Sequence, residues 1–599
     1  MFTKRKKSLF ISLTLLTASC GGSESEGNTL GNSDSKINEV TVTTKVKSSL
    51  SLSLQTDKSC YTPGETICFS AEGTQPTGAM VRYRKGTDVI ATGDLKNNNW
   101  SWTAPAQDYC GYLADIYTVS GNEETIWGTI AIDVSSDWKR FPRYGFVSSF
   151  GSEKTPAVIN EEMTFLCRCH INGIQFYDWH NKHQWPLGGT RTKLQERYTD
   201  IANREVVTSV VKQYIATQHQ LGMKAMFYNL CYGALDDAAN DGVKEQWYLY
   251  KQTGHANKDV ITLPSSWKSD IFLTNPEDSE WQKYLAERND DVYQNFDFDG
   301  FHIDQVGDRG TIYDYYGGKM NLPRGFSSFI IAMKQAHPQK RLVMNAVASY
   351  GSSQIAQTMN TDFLYNELWD GESSFSDLLT IKKANDSYSQ GKLQTIFAAY
   401  MNYGKSSQKG MFNAPGVLLT DAVMFALGAS HLELGDGHML CHEYFPNNNL
   451  QMSSELKSAI IGYYDFMVAY QNLLRDGGVD DVAQLTTDNS SVSINAWPPK
   501  IKTVTTFSKT IDNRQIVHLL NFMQVNSLSW RDYDGNMPEP QTIANLPMRV
   551  KASQVKKLWV ASPDYLGSAA QELSFSQEGD YVCFTLPSLK YWTMIVVEK

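Results

Sequence analysis

The chain has 599 residues, too many for one compact core, so two to four domains are expected. A formal charge of −10 with no basic stripe excludes nucleic acid as a partner, and no apolar run of membrane-spanning length follows the first twenty residues. Fourteen Trp and 31 Tyr offer flat faces compatible with sugar binding, with core packing the account of most of them.

The first element is "MFTKRKKSLFISLTLLTASC", with a basic segment, an apolar segment and small residues before Cys20: a secretory signal over residues 1–19. "LTASC" resembles the bacterial lipobox, in which the cysteine is lipidated and becomes the mature N-terminus; an ordinary cleaved signal peptide is the alternative. Residues 20–39, with "GGSESEGNTLGNSDS", cannot bury a core and read as a flexible acidic tether. Acidic residues after that cysteine also resemble the surface-export signal of Bacteroidetes lipoproteins. The expectation is a monomer held by a lipid on Cys20 in a bacterial cell envelope, at the outer membrane.

Residues 40–136 alternate short strand-like runs ("AMVRYRKGTDVIATGD", "GYLADIYTVSG", "IWGTIAIDV") with Gly, Pro, Asn and Asp turns, the pattern of an immunoglobulin-like β-sandwich. Cys60, Cys68 and Cys110 fall here, and an exported setting would permit one disulfide among them. "CRC" (Cys167, Cys169) beside His170 lacks a second ligand pair at zinc spacing, so buried thiols and no metal are expected.

Over residues 137–475 the rhythm becomes strand, helical or polar stretch, strand. Near-continuous apolar strands are expected at 143–150, 173–179, 224–230, 299–306, 341–347, 363–369, 394–402 and 422–435, with amphipathic helices such as "SEWQKYLAERNDDVYQNF" between them. Eight such strands point to a (β/α)₈ TIM barrel, with Ala234 to Leu273 as an elaborated loop at its mouth. Residues 476–599 revert to short strands, a C-terminal antiparallel β-sandwich. The fold class is therefore multidomain, α/β plus β.

Functional groups of such barrels sit at the C-terminal ends of the strands. There the sequence places Tyr177, Asp178, Trp179, Asn229, His302, Asp304, Gln305, Asn345, Glu367, Trp369, Tyr400 and Asn402, and then Glu433, Asp436, Glu443 and Tyr444. These are carboxylates, amides and aromatics. No Gly-rich phosphate loop, GxSxG elbow or HExxH accompanies them, and no cofactor is expected. Two carboxylates from strands four and six could converge across the mouth, as in a retaining glycosidase, where they stand about 5–5.5 Å apart. Asp304 suits the ionised nucleophile and Glu367 the proton donor. The bland alternative is that either caps a loop or pairs with an arginine such as Arg309.

"INGIQFYDWHNKH", "DFDGFHIDQVGDRG", "FLYNELW" and "GASHLELGDGHMLCHEYFPN" resemble, in order, the signature segments of glycoside hydrolase family 66, the dextranases and cycloisomaltooligosaccharide glucanotransferases. The resemblance implies sandwich, barrel and sandwich, with Asp304 as nucleophile and Glu367 as acid/base. It further implies a retaining endo-dextranase that hydrolyses internal α-1,6 bonds of dextran to linear isomaltooligosaccharides. The remaining strand-end residues become candidates for binding sugar. A cyclising glucanotransferase is the rival enzyme, and a non-catalytic glycan-binding lipoprotein is the rival from another class. The stretch "YGKSSQKGMFNAPGV" is too short for the extra binding module of the cyclising members, which favours hydrolysis.

Overall fold

Eight parallel strands form one sheet in chain order: β1 (Tyr144–Val147), β2 (Gly173–Phe176), β3 (Lys224–Leu230), β4 (Gly300–Asp304), β5 (Arg341–Val347), β6 (Leu364–Glu367), β7 (Thr395–Ala398) and β8 (Ser430–Leu432). The Phe146 N–H donates to the Leu434 carbonyl at 3.1 Å, bringing the first and last strands together. A helix follows each strand: α1 (Pro156–Arg168), α2 (Thr208–Gln220), α3 (Ser279–Asn295), α4 (Leu322–Ala336), α5 (Ser352–Gln357), α6 (Phe375–Ser389), α7 (Ala414–Ala426) and α8 (Ser454–Ala469). The structure is a computed structural model and describes residues 39–443 and 447–599. The signal segment, Cys20 and Tyr444 lie outside the described residues.

Local chemistry sets the helix starts. Asp278 accepts from the Glu280 and Trp281 N–H groups ahead of α3, and Ser374 and Asp377 cap α6 reciprocally. The strands are apolar along their length because helices cover one face and the barrel interior takes the other. That interior is packed by Tyr144, Phe146, Met226, Val343, Tyr365 and Leu432. Trp138 closes the bottom: a Cβ on Gly173 would meet its ring at 1.9 Å, so only glycine admits it.

One expected strand, 422–435, begins inside a helix. Residues 414–426 form α7, and only Ser430–Leu432 pair as β8. Every described side chain of α7 from Gly416 onward is buried, because the helix lies between the barrel and the C-terminal sheets. A helix apolar all round shows no 3.6-residue period, so its text resembles that of a buried strand.

Before the barrel, a five-stranded and a three-stranded sheet enclose a core of Leu54, Ile67, Phe69, Ile116 and Ile130. Lys45–Ser48 runs parallel to Glu123–Val134 at the edge of the larger sheet. After the barrel come a seven-stranded and a five-stranded sheet, antiparallel except where Ile494–Ala496 pairs parallel to Val504–Thr506. Glu39 and Val40 pair with Ser576 and Phe575, so the chain touches the C-terminal sheets before entering the N-terminal ones. No disulfide forms among the described residues: Cys60, Cys68 and Cys110 are free, the first half-buried, the second exposed and the third buried. Cys167 and Cys169 are buried thiols, and burial pushes Cys167 up to about 12.

Candidate active site

Side chains alternate between the two faces of a strand, so one inward residue at each strand end selects the mouth-lining set. Register brings Leu230 beside Asp304, and Val347 beside Glu367. The inward residues are Tyr228 on β3, Asp304 on β4, Asn345 on β5, Glu367 on β6 and Tyr400 just beyond β7.

These five form one hydrogen-bonded arc. The Asn345 amide nitrogen donates to Asp304 Oδ1 at 2.8 Å and to Glu367 Oε2 at 2.9 Å. Two bonds of that length from one nitrogen hold those oxygens closer together than the roughly 6.5–9.5 Å of inverting glycosidases and near the separation of retaining ones. The Tyr228 hydroxyl donates to Asp304 Oδ2 at 2.7 Å, and the Tyr400 hydroxyl donates to Glu367 Oε1 at 2.6 Å. Each carboxylate oxygen therefore receives a donor. Burial, and then the Glu367 charge, push Asp304 up to about 7 against those donors, so the two acids titrate as a pair. Arg309 is elsewhere: it pairs with Asp259 at 2.6 Å.

Two further expected residues lie beside the arc. The Tyr177 ring stands 4.5 Å from that of Tyr228. Asp178, in the left-handed region at φ 48°, is buried, and Arg204 lies 3.6 Å from its Oδ2. Burial raises Asp178 to about 7, with Asp200 and Asp304 adding to the rise and Arg204 opposing it. On the other side Trp369 packs against Tyr400 at 5.2 Å between ring centres. Beyond it Tyr403 stacks on His442 at 4.1 Å, and the Tyr403 hydroxyl donates to Glu443, which places Glu443 at the rim.

Other expected contacts are corrected by the structure. Trp179 is fully enclosed by Phe227, Phe296 and Phe298, with its N–H on the Tyr228 carbonyl. Asn229 and Gln305 face the helices, not the mouth. Asn229 holds the His183 carbonyl and ring, and Gln305 reaches the Asn345 and Tyr350 carbonyls. His302 points inward, but one layer below Asp304, between the Tyr144 and Tyr228 rings. Burial lowers it to about 3, so it is neutral. Asn402 binds the Asp532 carbonyl and the Asn413 N–H. Glu433 lies behind β8, and Asp436 caps Ser148 and Ser149 and meets Lys154 at 3.2 Å. For Asn229, Gln305 and Glu433, strand-end position was read without strand face; His302 sits one layer too deep, and Trp179, Asn402 and Asp436 lie past their strands' ends, where the alternation no longer holds.

Sequence reasoning missed Tyr228, although parity with Met226 singles it out over Asn229. It also missed the segment around Trp530, which returns from the C-terminal sheets. Arg531 donates to the Leu368 and Tyr400 carbonyls and Tyr533 stacks over Tyr403 at 5.9 Å, so this segment backs the Trp369 side of the mouth. No local pattern marks that return.

The family model described as Glycosyl hydrolase family 66 matches residues 56–596. A cycloisomaltooligosaccharide glucanotransferase of Niallia circulans is 27% identical over 703 aligned positions, covering 91% of this chain and 72% of the relative. A dextranase of Streptococcus salivarius is 24% identical, covering 82% of this chain and 67% of the relative. Among solved structures, a Paenibacillus sp. cycloisomaltooligosaccharide glucanotransferase complexed with cycloisomaltoheptaose superposes with a TM-score of 0.83 at 26% identity, covering 92% of this chain and 100% of that one.

Proposed function

Because the chain belongs to glycosyl hydrolase family 66, and is thus a glycoside hydrolase, we propose that it is a retaining endo-dextranase that cuts internal α-1,6-glucosidic bonds of dextran into linear isomaltooligosaccharides. The observation that carries this reading is the single Asn345 amide bonded to both Asp304 and Glu367. In this reading Asp304, ionised, attacks the anomeric carbon, and Glu367 gives its proton to the departing oxygen. Glu367 then takes a proton from the water that releases the sugar. Before the attack the pair holds one proton, because two bare charges this close in a buried site repel; that proton leaves with the first product and is replaced from the water. Tyr228 and Asn345 steady the Asp304 charge, and Tyr400 orients Glu367. Tyr177, Asp178 and Trp369 flank the sugar.

A cyclising glucanotransferase would share this intermediate, and the Niallia circulans relatives keep that reading in view. Two observations favour hydrolysis. The alignment to the first of those relatives spans 703 positions against 599 residues here, so that relative carries stretches with no counterpart in this chain. The connection from Asn402 to Asn413 holds only one short turn and a two-residue strand, too little to hold a far chain end near the site. The same proposal includes the lipid anchor on Cys20 at the outer membrane, a monomeric state, the immunoglobulin-like character of the first sandwich and the boundaries 40–136, 137–475 and 476–599.

Digestion of dextran tests the reading. Linear products that exo-acting glucosidase removes, with α configuration at first release by NMR, are expected. A dominant glucosidase-resistant fraction would assign cyclisation, β-configured products would remove double displacement, and no reducing sugar at all would leave a binding protein.

A further inference from the structure

Behind β8, on the face turned from the mouth, a second acidic group has no role in the chemistry above. Asp421 of α7 meets His431 of β8 and Glu433 just beyond it, all three fully buried, with their candidate ligand atoms within 4.8 Å of one another. His431 Nδ1 stands 2.8 Å from Asp421 Oδ1 and 3.5 Å from Glu433 Oε2.

The other ring nitrogen fixes the tautomer. His431 Nε2 lies 2.9 Å from the Ala399 carbonyl, which can only accept, so Nε2 carries the hydrogen. In the neutral ring the Nδ1 lone pair then points at two carboxylates. A backbone carbonyl behind a histidine is the usual orienting partner of a metal-bound imidazole. The carboxylates themselves are under-satisfied. The Tyr464 hydroxyl reaches Glu433 Oε1 at 3.0 Å, yet Asp421 Oδ2 and Glu433 Oε2 receive no donor. Among the described residues, neither acid pairs with an arginine or lysine. Two buried acids and a neutral ring must be compensated by protons or by a cation.

We propose that Asp421, His431 Nδ1 and Glu433 bind a divalent transition-metal ion of the Zn²⁺ or Mn²⁺ kind, with the Tyr464 hydroxyl at the edge of the site. One nitrogen and two carboxylate donors suit these ions, and two carboxylates neutralise the charge. The role is structural. Such an ion would tie α7 to β8 beside Leu434, whose carbonyl closes the barrel onto β1.

The test reads metal and involves no substrate, so it is independent of the dextranase reading. The full chain, expressed with added Zn²⁺ and Mn²⁺ and purified without chelator, is analysed by plasma mass spectrometry. Close to one ion per chain is expected, falling about tenfold or more in Asp421→Asn and Glu433→Gln. Metal below about a tenth of an equivalent, or retained unchanged in both variants, overturns the proposal; the first result leaves a proton shared between the carboxyls. Where the variants do not fold, wild type unfolded in guanidinium with EDTA is refolded with and without ZnCl₂ or MnCl₂. A Tm several degrees higher with either ion is expected, and coincident melting curves overturn it.

Discussion

The barrel holds two carboxylate pairs in opposite circumstances. At the mouth, Asp304 and Glu367 receive a donor on every oxygen from Tyr228, Asn345 and Tyr400. Behind β8, Asp421 and Glu433 each keep an oxygen that receives none. Both pairs are drawn from strand ends or the helix alongside, and only the face separates them. Donors that converge on two acids while leaving a lone pair to each prepare a charge for reaction, whereas acids left without donors call for a partner the chain does not supply.

The largest expected effects lie at the mouth. Asp304→Ala removes the nucleophile and should abolish turnover on every substrate. Glu367→Gln should lose roughly 10²–10⁴-fold on dextran, the range of a general acid. On an activated aryl glycoside, whose leaving group needs little protonation, it should keep a fast first step measurable as a burst. Equal losses on both substrates would sink the division of roles.

Asn345→Ala comes next. It removes the nitrogen that holds both acids, and kcat should drop on the order of 10²-fold, the scale of one lost charge-stabilising donor. KM should change little. Trp179→Phe, by contrast, should leave kcat within a few-fold, because the ring touches only the helix side; a collapse of kcat there would mean that the mouth has been drawn too narrowly.

The pH profile should then show the coupling. Asp304 is raised mainly by burial and then by the Glu367 charge, so the second proton leaves the pair near pH 7. The alkaline limb of kcat/KM should fall there, since above it no proton remains for the leaving group. With Glu367→Gln and an activated substrate, that limb should vanish and the rising limb from Asp304 should move to lower pH. An unmoved profile would separate the two acids electrostatically.

Much of this was legible in the sequence, and the gaps have physical reasons. Seven barrel strands could be placed from apolar runs, because a strand buried on both faces is apolar throughout. The eighth was lengthened by α7, whose residues are equally apolar. The acids could be found because carboxylates at strand ends are costly unless used. Which neighbours face them could also have been read: from Asp304, parity along each strand selects Tyr228 over Asn229 and sets Gln305 and Glu433 aside. The return of Arg531 and Tyr533 to the mouth could not, since it depends on how distant sheets dock.

The smallest effect is on stability, and its sign distinguishes a strained site from a relaxed one. In the folded chain the Asp304–Glu367 pair keeps its shared proton to about pH 7, whereas a free Asp304 would lose it near 3.8. Between those values the folded chain binds more protons than the unfolded one, so stability falls as pH rises through that window and is level above it. Asp304→Asn removes the dependence. The new amide fits: its oxygen accepts from Asn345, and its NH₂ group donates to the Tyr228 hydroxyl, which can turn to accept. The variant should therefore melt at the wild-type temperature near pH 4, then above it by a margin that grows to a few degrees by pH 7 and stops growing. Asp259→Asn, which breaks the 2.6 Å pair with Arg309, should instead destabilise across the range. Should Asp304→Asn melt with wild type at every pH, the mouth would be imposing no penalty on the Asp304 charge, and the contrast between a prepared acid and an ordinary one would fall.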